Sequence, residues 1–217
     1  MNIFALSRSP VESAQQMIDK HIVKMPTETC QMLHTNILYM QYVKEYNKEP
    51  QLRDLKAFHK AIRSDLMKPA MLNHPSTIWA RQSLRNFGWL LKHGLALCEE
   101  YTYRYGKEHG SENRIHYCAY FIDWYEEHSY PTQELTPVTI AMDDKYRILN
   151  QMKVPNWDHV IKSYRHYYLE GKWRFAEWRN NRRPSWFPAN HYAKKYNVGV
   201  RAYNARRPKY PKILMEE

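Results

Sequence analysis

Glycine is scarce. The 217 residues hold six, and none sits in a GxxxxGK or GxGxxG arrangement, which excludes a P-loop and a dinucleotide-binding fingerprint. Cysteine is almost as rare. Cys30, Cys98 and Cys118 are odd in number and far apart, so neither a disulfide framework nor a CxxC site is expected, and a reducing compartment suits them. Long hydrophobic runs are missing, so no membrane span is predicted. The opening MNIFALSRSP has no charged leader and no long apolar core, and is not read as a signal peptide. Acidic residues are too few to balance the basic ones: 22 Asp and Glu against 33 Lys and Arg, a formal charge of +11. That excess favours nucleic acid, nucleotides or acidic lipid as partners without choosing among them.

What is abundant is aromatic: 18 Tyr, 7 Trp and 6 Phe. Such rings stack on bases or fill cores. Apolar residues recur mostly at helical spacing, so the fold is predicted to be mainly α. We expect a single compact helical domain over 1–188, with a short N-terminal extended segment and a basic C-terminal arm over 189–217. Ser9, Pro10 and Glu12 have the order of an N-cap, a first-turn proline and a capping-box acid, which starts a helix over about 10–20. Met25-Pro26 reads as a break, with Pro26 opening a second helix to about residue 46. A short helix around Leu55 and Phe58, a long one over 76–105, another over 112–127 and a last over 157–179 complete the expectation. Prolines and lost periodicity make 128–156 the longest loop.

Chemistry concentrates in DKHIVKMPTETCQMLH, residues 19–34. With Pro26 at a helix start, Thr27, Gln31 and His34 share a face. Free first-turn amides with Lys20 and Lys24 could receive phosphate. Glu28, His21, His34 or Asp19, and His74 from a second stretch, could move protons. The competing interpretation is structural, with Glu28 a favourable first-turn acid and His34 a satisfied polar residue. Cys30 is a possible nucleophile but more commonly a buried, quiet thiol. A second stretch, NHPSTIWAR, places His74 before Pro75, with Ser76 or Thr77 as caps, Arg81 and Arg85 four apart for a phosphate, and Trp79 for a base or the core. Asp143-Asp144 is a carboxylate pair that Lys145 and Arg147 could neutralise. No His, Cys and acid spacing matches a zinc motif; no metal is assigned and no cofactor is implied. In the last third, Arg165, Lys172, Arg174, Arg182 and Arg183 alternate with aromatic residues, as a strand-tracking surface would. The alternative is rings packed inward with wet basic tips.

Four stretches together, DKHIVKMPTETCQMLHT, LNHPSTIWAR, WLLKHGLALCEEYTYRYGK and SYRHYYLEGKWRFAEWRNNRRPSWF, make the chain resemble a largely uncharacterised family of small tailed-bacteriophage proteins. Asp19, Lys20, His21, Lys24, Glu28, His74, Pro75, Trp79 and Arg81 match that family's characteristic positions. The resemblance implies work in the host bacterial cytoplasm, in DNA metabolism or modification. The favoured expectation is thus an enzyme modifying nucleic acid or a nucleotide, at a base or a glycosidic bond. Two others stand beside it: a non-enzymatic DNA- or RNA-binding protein, and a protein that binds a host protein.

Overall fold

A computed structural model describes residues 2–127, 134–148 and 155–196. Among them the regular structure is helical: α1 (Pro10–Gln15), α2 (Asp19–Tyr46), α3 (Leu52–Ile62), α4 (Pro75–Gln82), α5 (Leu84–Tyr105), α6 (Glu112–Tyr117), α7 (Tyr120–Glu127), α8 (Trp157–Tyr167) and α9 (His191–Tyr196). The mainly α, single-domain expectation is met. No described helix is long and apolar enough to cross a membrane. The predicted arm from 189 is described only as far as Tyr196, where His191 Nε2 lies 2.8 Å from the Leu169 carbonyl; the rest lies outside the described residues.

Helices α2 and α5 form the centre, with α1 and α4 against them. The Ser9 cap is as expected, its side chain accepting the Glu12 N–H with Pro10 in the first turn. The expected break at Pro26 is not there. Helix α2 begins at Asp19 and runs through Pro26 for 28 residues. A proline inside a helix removes one backbone hydrogen bond and costs about 3 kcal/mol. Burial of Ile22, Met25, Pro26, Cys30 and Leu33 along the same stripe offsets it, an instance of tertiary packing outweighing local propensity.

The predicted 76–105 helix is two helices. Ser83 adopts extended geometry and caps α5, accepting the Asn86 N–H at 3.0 Å, and donates to the Glu134 carbonyl. Gly88 and Gly94 both lie inside α5. Gly94 is required there, because α2 passes too close for a side chain. The expected 112–127 helix divides between α6 and α7 around Cys118 and Ala119. The last predicted helix stops at Tyr167 and continues as a π turn and a 3-10 turn to Phe175. The proline-punctuated loop is described for 134–148. It crosses the end of α4, where Thr136 accepts from Trp79 Nε1 and Asn86 Nδ2.

The lead-in, residues 2–6, has no regular secondary structure and is buried, with Ile3, Ala5 and Leu6 at most 1% exposed. Asn2 Oδ1 accepts from Tyr164 Oη at 2.7 Å, and the Ser13 hydroxyl accepts the Leu6 N–H. Phe4 has φ of 51°, a left-handed value that costs a side-chain-bearing residue about 1–2 kcal/mol. Its ring stacks on His21 at 4.1 Å between centroids.

Candidate active site

Because α2 is continuous, Lys20, Lys24, Glu28 and Gln31 fall at successive turns of one helix face. Lys20 and Lys24 are exposed, while Glu28 and Gln31 are half-buried. Lys24 Nζ lies 2.8 Å from Glu28 Oε1. The backbone amides after Pro26 are mid-helix and not free for phosphate, which corrects the expectation built on a helix starting there. Next to the stripe, Thr27 Oγ1 meets Ser111 Oγ at 3.3 Å, bringing the start of α6 alongside.

His74 ends a loop that α2 itself ties down. Met67 N–H donates to His34 Nδ1 at 2.7 Å, and His34 Nε2 lies 3.2 Å from the Arg114 carbonyl. An acceptor at Nδ1 leaves the proton on Nε2, so His34 is a neutral clamp between the Met67 loop and α6. Thr35 Oγ1 contacts both the carbonyl and the N–H of Ala70, and Asn36 Nδ2 donates to the Thr77 carbonyl. Arg81 Nη1 donates to the Leu72 carbonyl and its guanidinium lies over the Tyr39 ring at 4.4 Å. The polar density of 19–36 therefore has two uses. One face presents Lys24 and Glu28; the other positions His74.

His74, not Ser76 or Thr77, caps α4. Its Nδ1 accepts the Ser76 N–H at 3.1 Å. A protonated imidazole could not accept that bond, so the cap holds the ring neutral with hydrogen on Nε2. Burial and the positive amino terminus push its pKa down, and the Glu28 charge pulls it partly back. The Glu28 charge thus acts on His74. Lys24 is bound to Glu28 directly.

Other candidates are placed differently. His21 is buried, its Nδ1 2.7 Å from Tyr168 Oη. Burial, then the charges of Lys172 and Lys24, drop its pKa to about 3. It is a neutral core group at physiological pH. Asp19 lies at the start of α2, accepting from Arg104 Nη1 at 2.9 Å and from the Arg179 N–H. From Asp19 to Glu28 is nine residues of helix, about 14 Å, so these two carboxylates do not act on one bond. Trp79 is 1% exposed, with Trp89 packed edge-on to it; its faces are not open to a base, which corrects that reading. Arg85 is exposed at the start of α5. Cys30 is buried and its thiol is pushed up to about 12 by burial, which removes it as a nucleophile. Asp143 caps a 3-10 turn and pairs with Lys145, while Asp144 pairs with Arg147. No group of three metal-ligating side chains forms among the described residues.

Lys172 contacts the Tyr167 and Phe175 rings, and Lys20 shares the Phe175 ring from the other side of the junction. Arg174 lies beside Trp173, Arg182 pairs with Glu100, and Arg165 donates to the Leu6 carbonyl. Arg183 is exposed. Sequence reasoning missed Arg104, which is wholly buried. It donates to Glu100, Asp19 and the carbonyls of Gln15 and Met17. The Glu100–Arg104 spacing of four was the available signal. It also missed His93, stacked on Trp89 and facing the Pro10 carbonyl.

No curated protein and no solved structure matches the chain. A family described as pyrimidine dimer DNA glycosylase matches residues 1–113, the part that contains α2, the His74 loop and all of α5. This replaces the expectation of a family without an assigned activity. The match covers just over half of the 217 residues, and the chain belongs to the pyrimidine dimer DNA glycosylase family, whose enzymes act on a glycosidic bond in DNA.

Proposed function

We propose that this protein cleaves the N-glycosidic bond of a pyrimidine in dimer-damaged DNA, with Glu28 as the reacting carboxylate. The observation that carries the reading is the Lys24–Glu28 pair on the matched segment, on an exposed side of α2, with the Glu28 charge acting on His74. A glycosylase must take its target out of the base stack, which damage makes easier because stacking is already weakened. The bond from C1′ to the pyrimidine nitrogen then breaks, and its electron pair leaves with the base. The sugar becomes cationic, as in other glycoside cleavages.

Glu28 is suited to that cation. It is recessed, its side chain 15% exposed, so its charge is less screened than a fully solvated one. Lys24 Nζ lies 2.8 Å from Oε1, so a cation and a carboxylate stand together where the sugar would sit. A water that adds to C1′ passes its proton to Glu28. His74, neutral with hydrogen on Nε2, is a donor for a carbonyl oxygen of the departing pyrimidine, where negative charge grows. Lys20, one turn before Lys24, is available to a backbone phosphate. Arg81 and Arg85 fit this scheme as supports of the same strand from α4 and α5.

The test uses a duplex with a single cyclobutane pyrimidine dimer. The cyclobutane ring tethers the released base to its neighbour, so hydrolysis appears in mass spectrometry as a strand heavier by one water. Wild-type protein should make this product from the damaged duplex and not from its undamaged twin. Glu28→Gln should slow it by about 10²–10⁴-fold, the range for losing a proton-transfer group. Full activity in Glu28→Gln would remove Glu28 from the chemistry; no product from folded wild type would remove the reaction.

A further inference from the structure

A second basic feature lies outside the Glu28 site. Where α1 meets α2, the C-terminal segment folds back to form a polar cleft of about 350 Å³, lined by Gln15, Gln16, Arg165, Arg182, Arg183 and Trp186 among others. Gln16 Oε1 is its hub, accepting from Trp186 Nε1 at 2.8 Å and from Arg165 Nη2 at 3.4 Å. Arg165 also donates from Nε to the Leu6 carbonyl and lies over the Trp186 ring at 5.3 Å.

The arginines around this cleft are not equivalent. Arg179 is committed to Asp19, and Arg182 to the buried Glu100. Arg165 and Arg183 form no ion pair among the described residues. Arg165 has five N–H donors, and its contacts to Leu6 and Gln16 are with neutral oxygens. It is also partly desolvated, enough to lower its pKa against the pull of Glu12. A half-buried guanidinium without a counter-ion is costly unless an anion arrives. Beyond Gln16, α2 carries Lys20 and Lys24. Lys20 and Lys172 converge on the Phe175 ring at 4.6 and 5.6 Å, and Lys24 follows Lys20 by one turn and ends at Glu28.

We infer that this cleft is a second DNA-backbone subsite, which holds one phosphodiester between Arg165 and Arg183 while the damaged nucleotide is at Glu28. The strip along α2 sets the spacing. Asp19, three residues beyond Gln16, is about 14 Å of helix from Glu28, or roughly four base steps at 3.4 Å per step along a strand. The inference rests on the glycosylase reading only for the identity of the nucleotide at Glu28. The matched family segment ends at residue 113, so Arg165 and Arg183 belong to a part of this chain that the family match does not account for.

The test is fluorescence anisotropy with a labelled undamaged duplex of about two turns, between about 50 and 200 mM salt. Arg183→Ala alters an exposed side chain and should leave folding intact. It should weaken binding about 3–10-fold and reduce the slope of log K against log salt by about 0.9, the value for one lost phosphate contact. Arg183→Glu should weaken it further, and Arg165→Gln, checked for folding by circular dichroism, should match Arg183→Ala. A duplex that ends fewer than about four base pairs from a dimer on the cleft side should bind wild type and Arg183→Ala equally. Unchanged affinity and slope in both arginine variants would overturn the subsite. So would inorganic phosphate binding that depends on Arg183 with no effect on DNA, which would assign the cleft to a small phosphate ligand. Dimer turnover with an unaltered slope would sink the cleft and leave the glycosylase; an Arg183-dependent slope without turnover would do the reverse.

Discussion

A Cβ placed on Gly94 of α5 would stand 2.8 Å from Thr29 Cγ2 of α2, and 3.3 Å from two carbons of Ile115. Thr29 adjoins Glu28, so this contact sets how deeply the reacting face of α2 sits against α5. Gly94→Ala gains about 1 kcal/mol of helix propensity, but overpacking here costs about 1–3 kcal/mol. We expect a lower urea midpoint for Gly94→Ala. Thr29→Ser removes the obstructing methyl and should restore the midpoint when combined with Gly94→Ala. A single variant as stable as wild type would show that α5 can retreat from α2 freely.

Arg104 gathers the α1–α2 junction onto α5 through Asp19, Glu100 and two carbonyls. Its side chain is fully buried and that of Glu100 nearly so. Arg104→Met removes the buried partner of both carboxylates, leaving them only Arg179 and Arg182, and should cost about 3–5 kcal/mol. Asp19→Asn keeps a hydrogen-bond acceptor for Arg104 and should cost about 1–3 kcal/mol. Denaturant titrations at neutral pH read both. An Asp19→Asn protein with unaltered stability and lost dimer cleavage would instead return Asp19 to the chemistry.

Much of this architecture is legible from short-range pattern. The Ser9 cap, the Pro10 start and the turn at His74-Pro75 depend on neighbours within four residues. Pro26 was misleading because its local cost is offset by burial that the sequence does not show. The division at Ser83 was hidden for a similar reason: Ser83 bonds to Glu134 across the fold. In the site, density of polar residues pointed to Lys24, Glu28 and His74, of which the structure pairs Lys24 with Glu28. It could not separate them from His21 and Asp19. Those are distinguished by partners 147 and 85 residues away, Tyr168 and Arg104, and no spacing rule reaches that far.

The buried histidines make stability depend on acid. Burial lowers His21 to about 3 and His93 to about 4, against an ordinary 6.5. The unfolded chain therefore binds their protons first as pH falls. Stability from this source is complete above pH 6.5 and declines below it, until the folded protein itself protonates His93 near 4 and His21 near 3. Each histidine should contribute about 1.4 kcal/mol per pH unit in that window. Urea titrations between those limits should show His21→Gln with a slope smaller by about that amount. A slope identical to wild type would mean that His21 is protonated in the fold.

His74 combines two roles that one substitution separates. Its Nδ1 caps α4 by accepting the Ser76 N–H, and the remaining Nε2–H is the proposed donor to the leaving pyrimidine. Asparagine is a good N-cap through its side-chain oxygen. His74→Asn should therefore keep the thermal midpoint near wild type. It shortens the side chain and withdraws the distal donor, so the single-turnover cleavage rate should fall about tenfold, the worth of one hydrogen bond of roughly 1.4 kcal/mol. His74→Ala loses the cap as well and should be slower and less stable, by about 1 kcal/mol. The pH profile adds a separate criterion. Burial and the amino terminus hold the pKa of His74 below 6.5, so cleavage by wild type should persist below that pH, with no loss centred on an ordinary histidine value. Equal rates for His74→Asn and wild type would confine His74 to its cap and leave Glu28 and Lys24 to carry the reaction.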